Sequence, residues 1–405
     1  MNITNYITTL SILLIFSACS QKNEAVDAGQ ITSKENVKTD SLKDAEIHQT
    51  ETAAAIYISD TLTQLSEFIA GKTSGNGLFS AFTSKQAFKT YATNIEKKWH
   101  RFDSTKLKPI MNFVAADFLN KQHPASVFYP FSGPDILYSS TLFPSAKRFT
   151  MIGLEPVGTL PVIDDKDIHP DSIHHYFEKI NSSLYAILNF SFFRTVSMKE
   201  DLRNEEVDGT IHLLLHFLNR TGHAISSVKP FYIDSAGNTV YVENTHVLKN
   251  KKYKNASIEI VASKNNQLKT VTYTSTDLSN GGFSKNKGLQ AFILKAQPET
   301  TYLKGASYLM HKATFSDIRN LILKHTNTIV QDDSGIGISY ILKDKNKWQF
   351  DFYGTYTKPI NMFTQHYQPE LDSLYKLLGT KPLGFGLGYN YRDKNSNFMI
   401  IKKQY

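Results

Sequence analysis

The chain has 405 residues, 41% of them hydrophobic and 20% charged, with a formal net charge of +8 and a single cysteine. That apolar share supports a sizeable core and excludes a wholly disordered chain, while one cysteine excludes an internal disulfide framework. Lys and Arg are dispersed and form no single stripe, so nucleic acid is not an expected partner.

In chain order, the first feature is an apolar run from Ile7 to Phe16, broken by Thr8, Thr9 and Ser11. It has the length of a signal-peptide core and is too short for a transmembrane helix. The preceding residues carry no Lys or Arg, which departs from the usual signal pattern. Phe16-Ser17-Ala18-Cys19 resembles a bacterial lipobox, with small residues just before the cysteine. The resemblance implies a signal peptide over 1–18 and a lipidated Cys19 holding the protein to a membrane of the cell envelope, the outer membrane being expected. The competing reading is an ordinary secretory signal with a chance cysteine near its end.

Residues 20–55 are polar and contain no aromatic side chain. Such a segment buries too little apolar surface to offset its chain entropy and reads as a tether. It carries four Lys against seven acids, a net of −3, which leaves the body near +11. Asp40-Ser41-Leu42, and the similar triplets at Asp171 and Asp372, resemble the O-glycosylation sequon of secreted Bacteroidetes proteins; only Ser41, in the tether, is a reasonable acceptor.

The body then begins with helical spacing over 62–71, 84–100 and 107–119, so its N-terminal portion is helical. The period changes at 125–131, a short β-prone run, followed by the turn Ser132-Gly133-Pro134-Asp135, a short helix over 136–143 and a second strand over 147–154. A long helix over 174–196 and another over 210–218 precede two hairpins, 225–233 with 239–242 and 257–261 with 268–274. The chain continues with helix 287–296, strand 301–310, helix 316–324, strand 328–330, strand 348–353, a helix near 371–378 and a closing hairpin over 388–401. Alternating helices and strands predict an α/β fold: a mixed sheet with flanking helices, in one large domain or in two similar halves, 56–245 and 246–405. The second half repeats the element order of the first, which suggests a duplication; the plainer reading is that α/β proteins share this order.

Three constellations carry potential chemistry. Tyr129, Ser132 and Asp135 follow the first strand and Glu155 follows the second, in Gly153-Leu154-Glu155-Pro156. In open α/β sheets ligands sit at the carboxyl ends of strands, so these residues could line a crevice, with the two carboxylates doing acid–base work. The competing reading is turn chemistry, with Asp135 as a helix cap. His212 and His216 stand four apart on an apolar helix, a metal-compatible spacing, but Leu213 occupies the place where a zinc protease needs Glu. Hydrogen-bonded histidines at a helix–sheet boundary are the more favoured reading. Asp332 and Asp333 follow a probable strand and suit either a catalytic acid or cation ligand or, more favoured, a solvated turn.

Gly71-Lys72-Thr73 lacks the upstream glycine and strand of a phosphate loop. There is no Gly-x-Ser-x-Gly or Gly-x-Gly-x-x-Gly pattern, and no cofactor is implied. The segment 129–135, with 153–156, is similar to stretches of uncharacterised bacterial envelope proteins; the likeness covers about a tenth of the chain and implies no activity. The expected function is an envelope lipoprotein that binds an envelope component, a glycan or a protein partner. The alternative is a hydrolase or transferase acting on envelope glycans through the clustered carboxylates.

Overall fold

Val127 and Tyr129 face one apolar cluster and Phe128 faces another, as the two-residue period of a strand requires. The same alternation recurs at Met151 and Ile152, Tyr302 and Leu303, Val330 and Ile329, and Ile400 and Ile401. One sheet is therefore buried on both faces, which explains why its central strands read as continuous apolar runs. The computed structural model describes residues 57–73, 77–118, 123–161, 173–192, 202, 207–250, 253–392 and 396–404. Residues 55–405 form one compact unit.

The sheet has ten strands: β1 Ser126–Pro130, β2 Arg148–Gly153, β3 Ala224–Ile233, β4 Thr239–Tyr241, β5 Ala256–Lys264, β6 Gln267–Ser275, β7 Thr300–Leu303, β8 Thr328–Gln331, β9 Trp348–Tyr353 and β10 Phe398–Lys403. Their order is β4-β3-β5-β6-β2-β1-β7-β8-β10-β9. The inner five, β6-β2-β1-β7-β8, are mutually parallel. β10 is antiparallel to both β8 and β9, and β5, β3 and β4 extend the other edge with antiparallel pairing throughout.

Helices cover both faces. On one lie α1 (Asp60–Ile69), α2 (Gln86–Phe102), α3 (Ile136–Leu142), α4 (Ile173–Phe190) and α5 (Ile211–Arg220), burying Phe68, Ile95, Tyr138, Ile180 and Leu214. On the other lie α6 (Lys287–Lys295), α7 (Ser316–His325) and α8 (Pro369–Leu377), burying Ile293, Ile322 and Leu371. Local chemistry starts several of them. Ser59 Oγ accepts from Leu62 N at α1, Asp135 Oδ1 from Tyr138 N at α3, and Asn286 Oδ1 from Leu289 N at α6. Among the described residues no helix is long and apolar enough to cross a membrane.

The α/β class, mixed sheet and helical N-terminal portion are as the sequence predicts. The unit β1–α3–β2 forms as expected, with Ser126 paired to Arg148 through Pro130 paired to Ile152. The sheet is shared by both parts of the chain, since β1 lies between β2 and β7. β6 and β7 are not neighbours, so the second strand–helix–strand unit is β7–α7–β8.

Two elements differ from expectation. The strand expected over 301–310 stops at Leu303, because Gly305, Ser307 and Tyr308 take left-handed φ of 58°, 55° and 53°. The closing hairpin does not form. Gly388 sits at φ 57°, so close to β8's end that a Cβ there would lie 1.9 Å from Asp332 Oδ2. Only β10 forms, and it enters the sheet between β8 and β9.

Candidate ligand-binding cleft

The chain runs from β1 to β2 on one side of β1, and returns later as β7 on its other side. The loops leaving β1 and β7 therefore diverge, and a crevice opens between them at the carboxyl ends of the strands. A cleft of about 760 Å³ occupies this place. Its walls come from the ends of β1 (Ser132, Gly133, Asp135), β2 (Gly153, Leu154, Glu155), β6 (Asp277, Leu278) and β7 (Lys304, Ser307), with Phe131, Phe192 and Phe315 adding apolar surface.

Asp135 and Lys304 form the floor. Lys304 Nζ lies 2.5 Å from Asp135 Oδ2 and 2.5 Å from the Ser191 carbonyl oxygen, with the Tyr138 ring 3.6 Å away. Asp135 Oδ2 also accepts from Tyr129 OH at 3.0 Å, and Oδ1 accepts from Tyr138 N at 3.1 Å. Burial pushes the Asp135 carboxyl up; Lys304, Tyr138 N and Tyr129 oppose it. Burial likewise lowers Lys304, against the pull of Asp135. Asp135 is thus a helix cap, as turn chemistry expects, and a counter-ion as well. Its oxygens are fully used.

Glu155 is held differently. It is 2% exposed and lines the cleft. Oε2 accepts from Tyr273 OH at 3.3 Å, while Oε1 has no hydrogen-bond partner among the described residues. Gly153 makes room for it: a Cβ there would meet Glu155 Oε2 and Tyr273 OH, both at 2.6 Å. Beside it Leu154 stands 48% exposed, an apolar surface at the mouth. Ser132 is committed to the sheet, with both N and Oγ donating to the Ile152 carbonyl.

Tyr129, Ser132, Asp135 and Glu155 are brought together as the sequence suggests. Asp332 and Asp333 stand behind the cleft at the end of β8, 2% and 3% exposed, so the favoured expectation of a solvated turn is corrected: backbone and side-chain donors bury the pair. Asp332 Oδ2 accepts from Gly305 N at 2.9 Å and Oδ1 from Ser334 N and Oγ at 3.0 and 2.5 Å. Asp333 accepts from Tyr308 OH at 2.5 Å and Asn397 Nδ2 at 2.9 Å. Burial, then the charge of Asp332, pushes Asp333 up to about 7. The pair braces the β7 loop that carries Lys304.

His212 and His216 lie inside the core below α1 and α4. His212 Nδ1 is 3.1 Å from Tyr176 OH, and His216 Nδ1 is 3.2 Å from the Ile69 carbonyl. Among the described residues no third ligating side chain joins them; the group with metal-ligand spacing is the exposed His174, His175 and Glu178. Cys19 and Ser41 lie outside the described residues. Lys304, Phe192 and Asp277 escape sequence reasoning; the only local signal is Lys304-Gly305 directly after an apolar strand. No family model, curated protein or solved structure matches the chain.

Proposed function

We propose that the chain is an envelope lipoprotein anchored through Cys19 whose body binds a small diol-bearing molecule, a nucleoside or nucleoside derivative, in the crossover cleft. One observation carries the ligand reading. Glu155, with one carboxylate oxygen unpaired among the described residues, follows the end of β2, and it stands 22 positions after Gly133, which turns the chain out of β1 at φ 52°. In doubly wound sheets of strand order 3-2-1-4-5, the first strand–helix turn contains glycine, and an acid about 20 residues on accepts the ribose hydroxyls. Here β6-β2-β1-β7-β8 stand in that order. Leu154 and Leu278 line the same cleft and offer a flat ring apolar contact.

The second reading, a hydrolase or transferase acting on envelope glycans, is favoured by the meeting of Asp135 and Glu155 in one cleft. It is weakened by Asp135, because two-carboxylate glycoside chemistry needs a second carboxyl free to give or take a proton. Titration of residues 55–405 with adenosine, 2′,3′-dideoxyadenosine and N-acetylglucosamine separates the readings. Adenosine at ~100 times its dissociation constant should add about 2.7 kcal/mol of stability. The dideoxy analogue should bind about tenfold more weakly for the loss of hydrogen bonds to a charged group. Binding of the sugar alone would favour the glycan reading. The anchor is tested separately: Cys19→Ser should move the protein from the membrane to the soluble fraction and abolish labelling by radioactive palmitate.

A further inference from the structure

At the opposite end of the sheet lies a cavity open to solvent, bounded by the helical segment Trp99 to Val114, the end of α3 and the residues after α5. Trp99, Leu107 and Met111 give it an apolar wall. Arg220, the last residue of α5, forms part of its base with a side chain 2% exposed. Nη1 donates to Glu96, and the guanidinium stands 5.7 Å from the Trp99 ring centre. Arg220 Nε and Nη2, themselves buried, have no hydrogen-bond partner among the described residues. A buried guanidinium with two unused donors is a fork waiting for an anion.

The surrounding charge points the same way. Lys264, also lining the cavity, donates only to the Thr221 carbonyl. Lys269 is 6% exposed and donates only to the Pro144 and Ala146 carbonyls. Neither has a carboxylate partner among the described residues. Of the charged side chains lining the cavity, Arg220 and Lys264 are cations and Asp103 is the acid, and Asp103 pairs with Lys108 at 3.7 Å; Glu96, whose side chain is 64% exposed, pairs with Arg220. His223 adds no charge at neutral pH, since burial and then Lys264 lower it to about 4.

We infer that this cavity is a second binding site, for an anionic amphiphile whose head group meets Arg220 and whose acyl chain lies along Trp99, Leu107 and Met111. The chemistry is shared by a free fatty acid and by an anionic phospholipid. Trp99 and Trp348 are the only tryptophans, so a Trp348→Phe background makes Trp99 the reporter. Residues 55–405 in that background are titrated, below micelle formation, with dodecanoate and with dodecanol, and separately with phosphatidylglycerol vesicles. The expected result is a saturable change in Trp99 emission with dodecanoate, and binding of dodecanol about tenfold weaker for want of the charge. Arg220→Gln should remove the difference between acid and alcohol. A matching response to vesicles assigns the bilayer as the source; silence with vesicles assigns the free acid. Equal binding of acid and alcohol, or no Trp99 response to dodecanoate, overturns the proposal. The comparison of acid with alcohol needs no change at Arg220, so it stands even if the Arg220 variant fails to fold.

Discussion

Lys304 Nζ and Asp135 Oδ2 are 2.5 Å apart, each on a side chain 1% exposed. They belong to the two loops that diverge where the sheet changes direction, so their attraction ties the β1 side of the cleft to the β7 side. A buried pair of this kind does little for net stability, because desolvation offsets attraction. What it fixes is the relative position of two loops whose backbones take left-handed φ, at Phe131 in one and at Ser307 and Tyr308 in the other.

Breaking that pair from one side should be costly, and breaking it from both sides much less so. Asp135→Asn keeps the cap on Tyr138 N but strands a buried ammonium, and Lys304→Met strands a buried carboxylate. Each single variant should lose about 3–5 kcal/mol, while the double variant recovers most of it. Urea midpoints of the four proteins measure this, and additive losses would show that the two groups do not interact.

Glu155 and Gly153 should separate binding from folding. Glu155→Gln keeps the shape and a partner for Tyr273, so the melting temperature should change little while nucleoside binding weakens about tenfold or more. Gly153→Ala drives a methyl group into Glu155 Oε2 and Tyr273 OH at 2.6 Å, and both properties should fall, stability by about 1–3 kcal/mol. Calorimetric titration beside thermal melts distinguishes the two. Unchanged binding in Glu155→Gln would remove Glu155 from the site.

These residues also show how far the sequence can be read. The run 125–131, the turn at Gly133 and the acid after the second strand locate the cleft from local signals alone, because strand ends and turns leave local marks. Lys304 leaves none: a Lys after a strand is an ordinary surface residue until topology places β7 against β1. The Asp332–Asp333 pair reads as a solvated turn for the same reason. Beside the neighbouring Ser334, its donors come from Gly305, Tyr308 and Asn397, 25 to 64 positions away, and no local pattern reports those three. β10 is misread as half of a hairpin because strand propensity says nothing about a partner, and its partners are β8 and β9.

Asp333 should impose an unusual pH dependence. Its carboxyl is pushed up to about 7 when folded, against about 3.9 in an unfolded chain. The folded state therefore holds a proton that the unfolded state has released. This contribution is complete below about pH 4 and is lost as pH rises through about 7. Asp333→Asn cannot ionise and lacks the loss. The stability of the parent relative to the variant should decline across that window in urea titrations at successive pH values. Parallel curves would mean that Asp333 is ionised throughout.

The core histidines should act in the opposite direction, and His216 gives the sharpest test. Burial, then the charge of Arg220, lowers it to about 3, and burial lowers His212 to about 4. An unfolded histidine titrates near 6.5, so these groups support the fold fully above about pH 6.5 and progressively less as pH falls through their folded values. Among the described residues the only hydrogen bond of His216 is to the Ile69 carbonyl, and Tyr91 OH already donates to that carbonyl at 2.6 Å. Its Nε2 has no partner among the described residues. Replacing it by Leu therefore leaves the carbonyl satisfied and removes an unpaired buried nitrogen. His216→Leu should lie within about 1 kcal/mol of the parent near pH 7.5, and exceed it by about 2–3 kcal/mol near pH 4.5, where the parent's unfolded state gains a proton that the folded state refuses. Urea midpoints at the two pH values decide it: an equal difference at both would mean that His216 keeps an ordinary affinity for protons inside the fold.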